Sequence, residues 1–147
     1  MDALRKALGA LSATYALIFF CAALLHTGLT LGPLREPVIV PATIVETLCG
    51  AVLLIGARGA LTGRPWAWDG LIYTHAGALA GVLMGVLALA FGAAETTALN
   101  TWYHRTMAAL LIAGLAAALY APRVRRPAPS TRRGCAGRRR PRRRGPR

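Results

Sequence analysis

The sequence predicts an all-α integral membrane protein: a four-helix bundle with both termini in the cytoplasm and a disordered, basic C-terminal tail. Three observations predict it. The 147-residue chain is 55% hydrophobic, with a mean hydropathy of +0.46. Its apolar residues gather into four long runs, and its charge gathers at one end. Twelve of the eighteen Lys and Arg residues follow Pro122, where no acid occurs, whereas the chain before it holds six basic and five acidic residues. A nearly neutral, apolar domain of residues 1–121 therefore precedes an Arg-rich tail, 122–147.

The runs at residues 7–26, 38–57, 70–91 and 101–121 each supply about the ~20 residues that cross a ~30 Å hydrocarbon core. Continuous apolar runs without alternation exclude a barrel, and a soluble bundle would need polar helix faces that these runs lack. Positive charge alternates between the connections. Arg5 and Lys6 precede the first helix and Arg58 and Arg64 follow the second, whereas Arg35 is offset by Glu36, and Glu95 precedes Arg105. This pattern places both termini inside and makes the protein a multi-pass component of the cell's inner (plasma) membrane. Lys6 is the only lysine beside abundant Arg, Ala, Gly and Pro, a composition suggestive of a GC-rich bacterial genome.

Helix 1 begins like a signal peptide, with Arg5 and Lys6 before an apolar run, but the run is long and no small-x-small cleavage site follows. It reads as a retained helix. Phe19 and Phe20 before Cys21 also fail the small-residue requirement of a lipoprotein signal. In helix 2, Glu46 lies within "PATIVETLCGAVLLIGA", where a carboxylate needs a partner, a proton or a role. Thr43-x-x-Glu46 matches a capping box, which would start the helix at Thr43. Pro41 in the first turn suits an earlier start. Cys21 and Cys49 read as small packing residues, since no C-x-x-C pair exists to form a zinc or redox motif.

In helix 3, Trp66 and Trp68 mark the inner interface, Asp69 is a candidate N-cap, and Gly77, Gly81 and Gly85 form a four-residue repeat suited to close helix packing. Trp102 and Tyr103 mark the outer interface of helix 4, with Asn100 as its candidate N-cap.

Depth follows from the alternating directions. His26 lies at the outer end of helix 1, His104 about one turn inside helix 4, and Glu46 roughly 12 Å below the start of helix 2. These three could converge in the outer half of the bundle, with Asn100, Tyr103 and Arg105 near the mouth. His75 lies some 20 Å lower and reads as a core or interfacial histidine. A neighbouring histidine or arginine would hold Glu46 ionised, and an apolar surround alone would leave it protonated. A His26–Glu46–His104 cluster could relay protons, hold a polar headgroup such as a quinone's, or ligate a metal or, less readily, a haem. The blander expectation is a non-catalytic membrane subunit or scaffold whose buried polar residues stabilise the bundle. A transporter is least expected, because neither a broken-helix pair nor an inverted repeat is visible.

Glu46-x-x-x-Gly50, then Gly56 closely followed by Arg58, resembles the second helix of the DoxX-like family of small four-helix membrane proteins. His26 and Gly28 are loosely similar to residues at the end of that family's first helix. The resemblance covers about half of the chain, and "LNTWYHRTM" in helix 4 departs from the family's pattern. It implies a four-helix bundle associated with redox or oxidative-stress functions and with partner proteins, and carries over only Glu46, Gly50 and Gly56. The tail mixes Arg with Pro and Gly and lacks the apolar content to fold. Its charge suits anionic lipids or an acidic membrane or cytoplasmic partner. Lacking aromatic residues for stacking, it suits no sequence-specific nucleic-acid binding.

Overall fold

The computed structural model describes residues 2–92 and 97–124. Four helices follow in order, α1 (Asp2–Leu25), α2 (Val40–Thr62), α3 (Ala67–Ala90) and α4 (Ala98–Val124). Each is long and apolar enough to cross a membrane. Every helix starts earlier or ends later than its apolar run, because neighbouring polar residues continue a helix that the run began; α1 takes in Asp2, Arg5 and Lys6. Glu95, Cys135 and the arginine-rich tail from residue 125 onward lie outside the described residues.

Successive helices pack against one another, α1 on α2, α2 on α3 and α3 on α4, with much slighter contact from α1 to α3 and α4. The pairing is antiparallel, as short connections require. A Cβ at Gly9 would meet Ala60 and one at Gly50 would meet Phe20; between α2 and α3, Gly56 lies against Thr74 and Gly81 against Cys49. Small residues on these seams let the backbones approach. Closure between α1 and α4 instead uses rings, with Phe19 and Tyr103 edge to face at 6.2 Å. Tyr15, Phe19, Cys49, Leu53, Val82, Met107 and Leu111 form the main core. A smaller cluster of Leu8, Ala60, Leu71 and Ala118 fills the opposite end.

The helix starts bear out one expectation and correct two. α2 begins at Val40 after an extended Ile39, with Pro41 in the first turn, the earlier start that Pro41 suits and not the Thr43–Glu46 capping box. The Thr43 hydroxyl instead donates back to the Ile39 carbonyl. Asp69 lies in the first turn of α3, whose cap position is Trp66. Asn100 lies inside α4; the residue before the helix is Thr97, whose hydroxyl accepts the Asn100 N–H at 3.0 Å. At its far end α2 stops at Gly63, whose left-handed backbone (φ 71°) suits glycine. The Arg5 guanidinium donates to the nearby Ala60 carbonyl, placing a cation at the negative end of the helix dipole.

The glycine repeat of α3 divides by neighbour. Gly81 packs on Cys49 and Val45, and Gly85 makes room for the His104 ring, whereas nothing lies within 4 Å of where a Gly77 side chain would begin. Gly77 therefore packs on no element of this chain among the described residues.

Candidate functional site

The end of the bundle that carries the connection of residues 26–39 encloses a cavity of about 300 Å³. Its walls are mostly apolar, with Phe19, Val45, Val82, Met84 and Leu89 among them, and five polar side chains converge on it: His26, Glu46, Asn100, Tyr103 and His104. That composition, an apolar chamber with a few directed polar groups, is the usual make-up of a small-molecule site, at the small end of the ~300–1,000 Å³ range.

The polar groups arrive from three parts of the chain: His26 from the end of α1, Glu46 from α2, and Asn100, Tyr103 and His104 from α4. His26 follows the last turn of α1. Its Nδ1–H donates to the Pro37 carbonyl at 3.2 Å, and its own carbonyl accepts the Ile39 N–H at 3.1 Å. A carbonyl can only accept, so Nδ1 carries the proton, and Nε2 keeps a lone pair when the ring is neutral. That Nε2 faces Glu46 Oε1 at 3.7 Å, longer than a hydrogen bond. Glu46, on the second turn of α2, is buried, and neither of its oxygens has a hydrogen-bond partner among the described residues. The Tyr103 hydroxyl approaches the same carboxylate without completing a hydrogen bond, and the Asn100 side-chain oxygen is likewise buried and unpartnered. Nearly all buried polar groups find partners, so four unpartnered atoms around one cavity call for an explanation.

His104 donates Nδ1–H to the Asn100 carbonyl at 2.9 Å, and its ring stands edge to face with Tyr103 at 5.1 Å. Its Nε2 points to Gly85, where a Cβ would collide with it. His26 Nε2 faces Glu46 and His104 Nε2 faces α3, so the two rings do not present their free nitrogens to one iron between them. Among the described residues no three His, Cys, Asp or Glu side chains are grouped as a metal would need. The residues present fit a hydrogen-bonding organic ligand better than a metal or haem.

Arg105 and Tyr103 differ from their expected places. Arg105 is exposed and lines no part of the cavity. Tyr103 turns inward as part of the wall, while Trp102 faces out. This is the ordinary consequence of a 100° step between neighbours on a helix. His75 stays apart, fully buried, with Nδ1–H on the Leu71 carbonyl at 2.8 Å and its ring edge-on to Tyr15 at 6.2 Å.

Two contributors are not singled out by the sequence reading. Glu36, 6% exposed, lies within 2.7 and 2.8 Å of the Thr97 hydroxyl through its two carboxylate oxygens. Thr97 thus ties the connection after α1 to the first turn of α4, accepting from Asn100 N–H and donating to Glu36. The chain matches no protein-family model, no curated protein and no solved structure.

Proposed function

We propose that this is a multi-pass inner-membrane protein, with both termini cytoplasmic, whose cavity binds the polar head of a lipid-soluble small molecule such as a quinone. In this reading the His26–Glu46 pair holds a proton at the head. The observation that carries the proposal is the 3.7 Å gap between His26 Nε2 and Glu46 Oε1, inside a cavity where Asn100 and Tyr103 also lack partners. Two atoms that both accept hydrogen bonds cannot satisfy one another. A proton on either, or a hydroxyl or amide donor of a ligand, resolves the conflict. The DoxX-like pattern of α2 points the same way, and the arginine-rich tail supplies attraction to anionic lipids.

The test is decylubiquinone binding to the purified protein in lipid nanodiscs. Glu46→Gln should weaken binding by about ten- to a hundredfold, the worth of one charge-assisted hydrogen bond, with the helical spectrum unchanged. Equal binding by both proteins, or none by the wild type, overturns the reading.

One observation favours a second reading, a non-catalytic membrane subunit or scaffold that acts through a partner. Ala76, Gly77 and Ala80 are exposed together on α3, and small residues allow a second helix to approach closely. Gly77→Leu separates the two readings, since it touches no cavity wall: loss of cellular function with ligand binding retained favours the partner.

A further inference from the structure

The cavity is closed toward one side of the protein and open toward another, and the two sides differ in chemistry. Over the end of the bundle, residues 26–39 are tied down three times. His26 Nδ1–H donates to the Pro37 carbonyl, Ile39 N–H donates to the His26 carbonyl, and Glu36 accepts from Thr97 at the first turn of α4. Of the described residues that line the cavity, only Pro41 on α2 and Met84 on α3 are exposed, Met84 by 57%. They mark its mouth. The half-buried lining residues of these two helices are Ala42, Val45, Gly85, Ala88 and Leu89, all apolar. On the helix surfaces beside the mouth, Ile44, Leu48, Leu83 and Leu87 are exposed. Met84 also lies six residues before the end of α3, roughly 9 Å along the axis. The opening therefore runs along the seam between two apolar helices, from Pro41 in the first turn of α2 down to Met84.

We propose that the ligand enters this cavity sideways from the lipid phase, between α2 and α3, while the Glu36–Thr97 bond keeps the end of the bundle shut. The inference rests on the ligand-binding reading above and narrows its ligand class. The ligand is a membrane-partitioned amphiphile whose hydrogen-bonding head reaches Glu46, His26 and Tyr103 and whose apolar remainder lies across Met84 in the bilayer. A water-borne polar metabolite would have to cross an apolar rim to reach the same atoms, shedding its hydration on the way.

Two measurements test this. The first needs no ligand. Met84→Cys, in a background of Cys21→Ala, Cys49→Ala and Cys135→Ser, is labelled with bimane and placed in phosphatidylcholine–phosphatidylglycerol vesicles. Doxyl-labelled lipid should quench the bimane strongly and aqueous iodide weakly; the reverse pattern overturns lateral entry. The second is the rate of decylubiquinone association in nanodiscs. Met84→Trp, a bulky change at the mouth, should slow association by at least about tenfold. Thr97→Val, which opens the end of the bundle instead, should leave the association rate unchanged. If Met84→Trp associates at the wild-type rate while Glu46→Gln still loses binding, the ligand site stands and the entry route falls. If wild-type protein binds no decylubiquinone yet the bimane sits in lipid, the ligand reading falls and the mouth's placement stands.

Discussion

His75 and His104 each donate Nδ1–H to the carbonyl four residues back, and each ring rests on a glycine of the facing helix, Gly114 for His75 and Gly85 for His104. The local device is the same; the surroundings are not. Around His75 there is protein on every side, with Tyr15 edge-on and Nε2 buried without a partner. Beside His104 there is a cavity, with Tyr103, Asn100 and Glu46 facing it. One histidine locks two helices together, and the other does so while bordering open space. A residue type and its hydrogen bond do not by themselves define a site: the site is the room left next to them.

That contrast can be broken by filling each seat. Gly114→Leu puts a side chain where the His75 ring stands, 2.7 Å from an ideal Cβ. With no space for the ring to move, it should destabilise the protein by about 3 kcal/mol, the upper end of ordinary overpacking. Gly85→Leu makes the closer collision, yet the His104 ring can swing into the cavity. It should cost only about 1 kcal/mol while abolishing ligand binding. Thermal unfolding in nanodiscs reads both, and a larger loss for Gly85→Leu would remove the distinction between the two histidines.

At the cavity, the unpartnered carboxylate of Glu46 is expected to cost stability. Glu46→Leu removes two buried oxygens without partners and should raise stability by about 1–2 kcal/mol as it eliminates decylubiquinone binding. A fall in melting temperature would mean that the carboxylate holds the bundle together. The most local effect is expected at the tied-down connection. Thr97→Val leaves Glu36 buried without its hydroxyl donor and takes away the α4 cap, and should cost about 1 kcal/mol. Faster amide exchange should be confined to residues 26–39 and the first turn of α4; exchange spreading through the helices would show that this bond supports more than the end of the bundle.

The four helices were legible because twenty apolar residues in a row leave few alternatives, and their approximate depths followed from the rise per residue. That was enough to place His26, Glu46 and His104 at one level. It could not show which way they face. Neighbours on a helix differ by 100°, which is why Tyr103 enters the wall and Arg105 does not. The same arithmetic divides Gly77, Gly81 and Gly85: a four-residue spacing drifts by about 40° per step, so one faces outward, one α2 and one α4. Helix starts were misplaced at Asp69 and Asn100 because a good capping residue inside a first turn looks much like one just before it. The Glu36–Thr97 bond joins residues 61 positions apart, and neither residue is distinctive where it stands.

The paired seats of α3 and α4 also bear on how the chain can change in length. Gly85 lies ten positions after His75, and Gly114 ten positions after His104, so both rings meet their glycines at one antiparallel register, roughly 15 Å apart along the helices. The two contacts act as a pair of teeth in a gauge. An insertion in the connection between α3 and α4 leaves both engaged, as does trimming either helix beyond its outer tooth. A single residue added between His75 and Gly85, with no matching addition between His104 and Gly114, turns one ring out of its seat. Length variation in this half of the molecule is therefore expected to be free between the helices, and strictly paired within them.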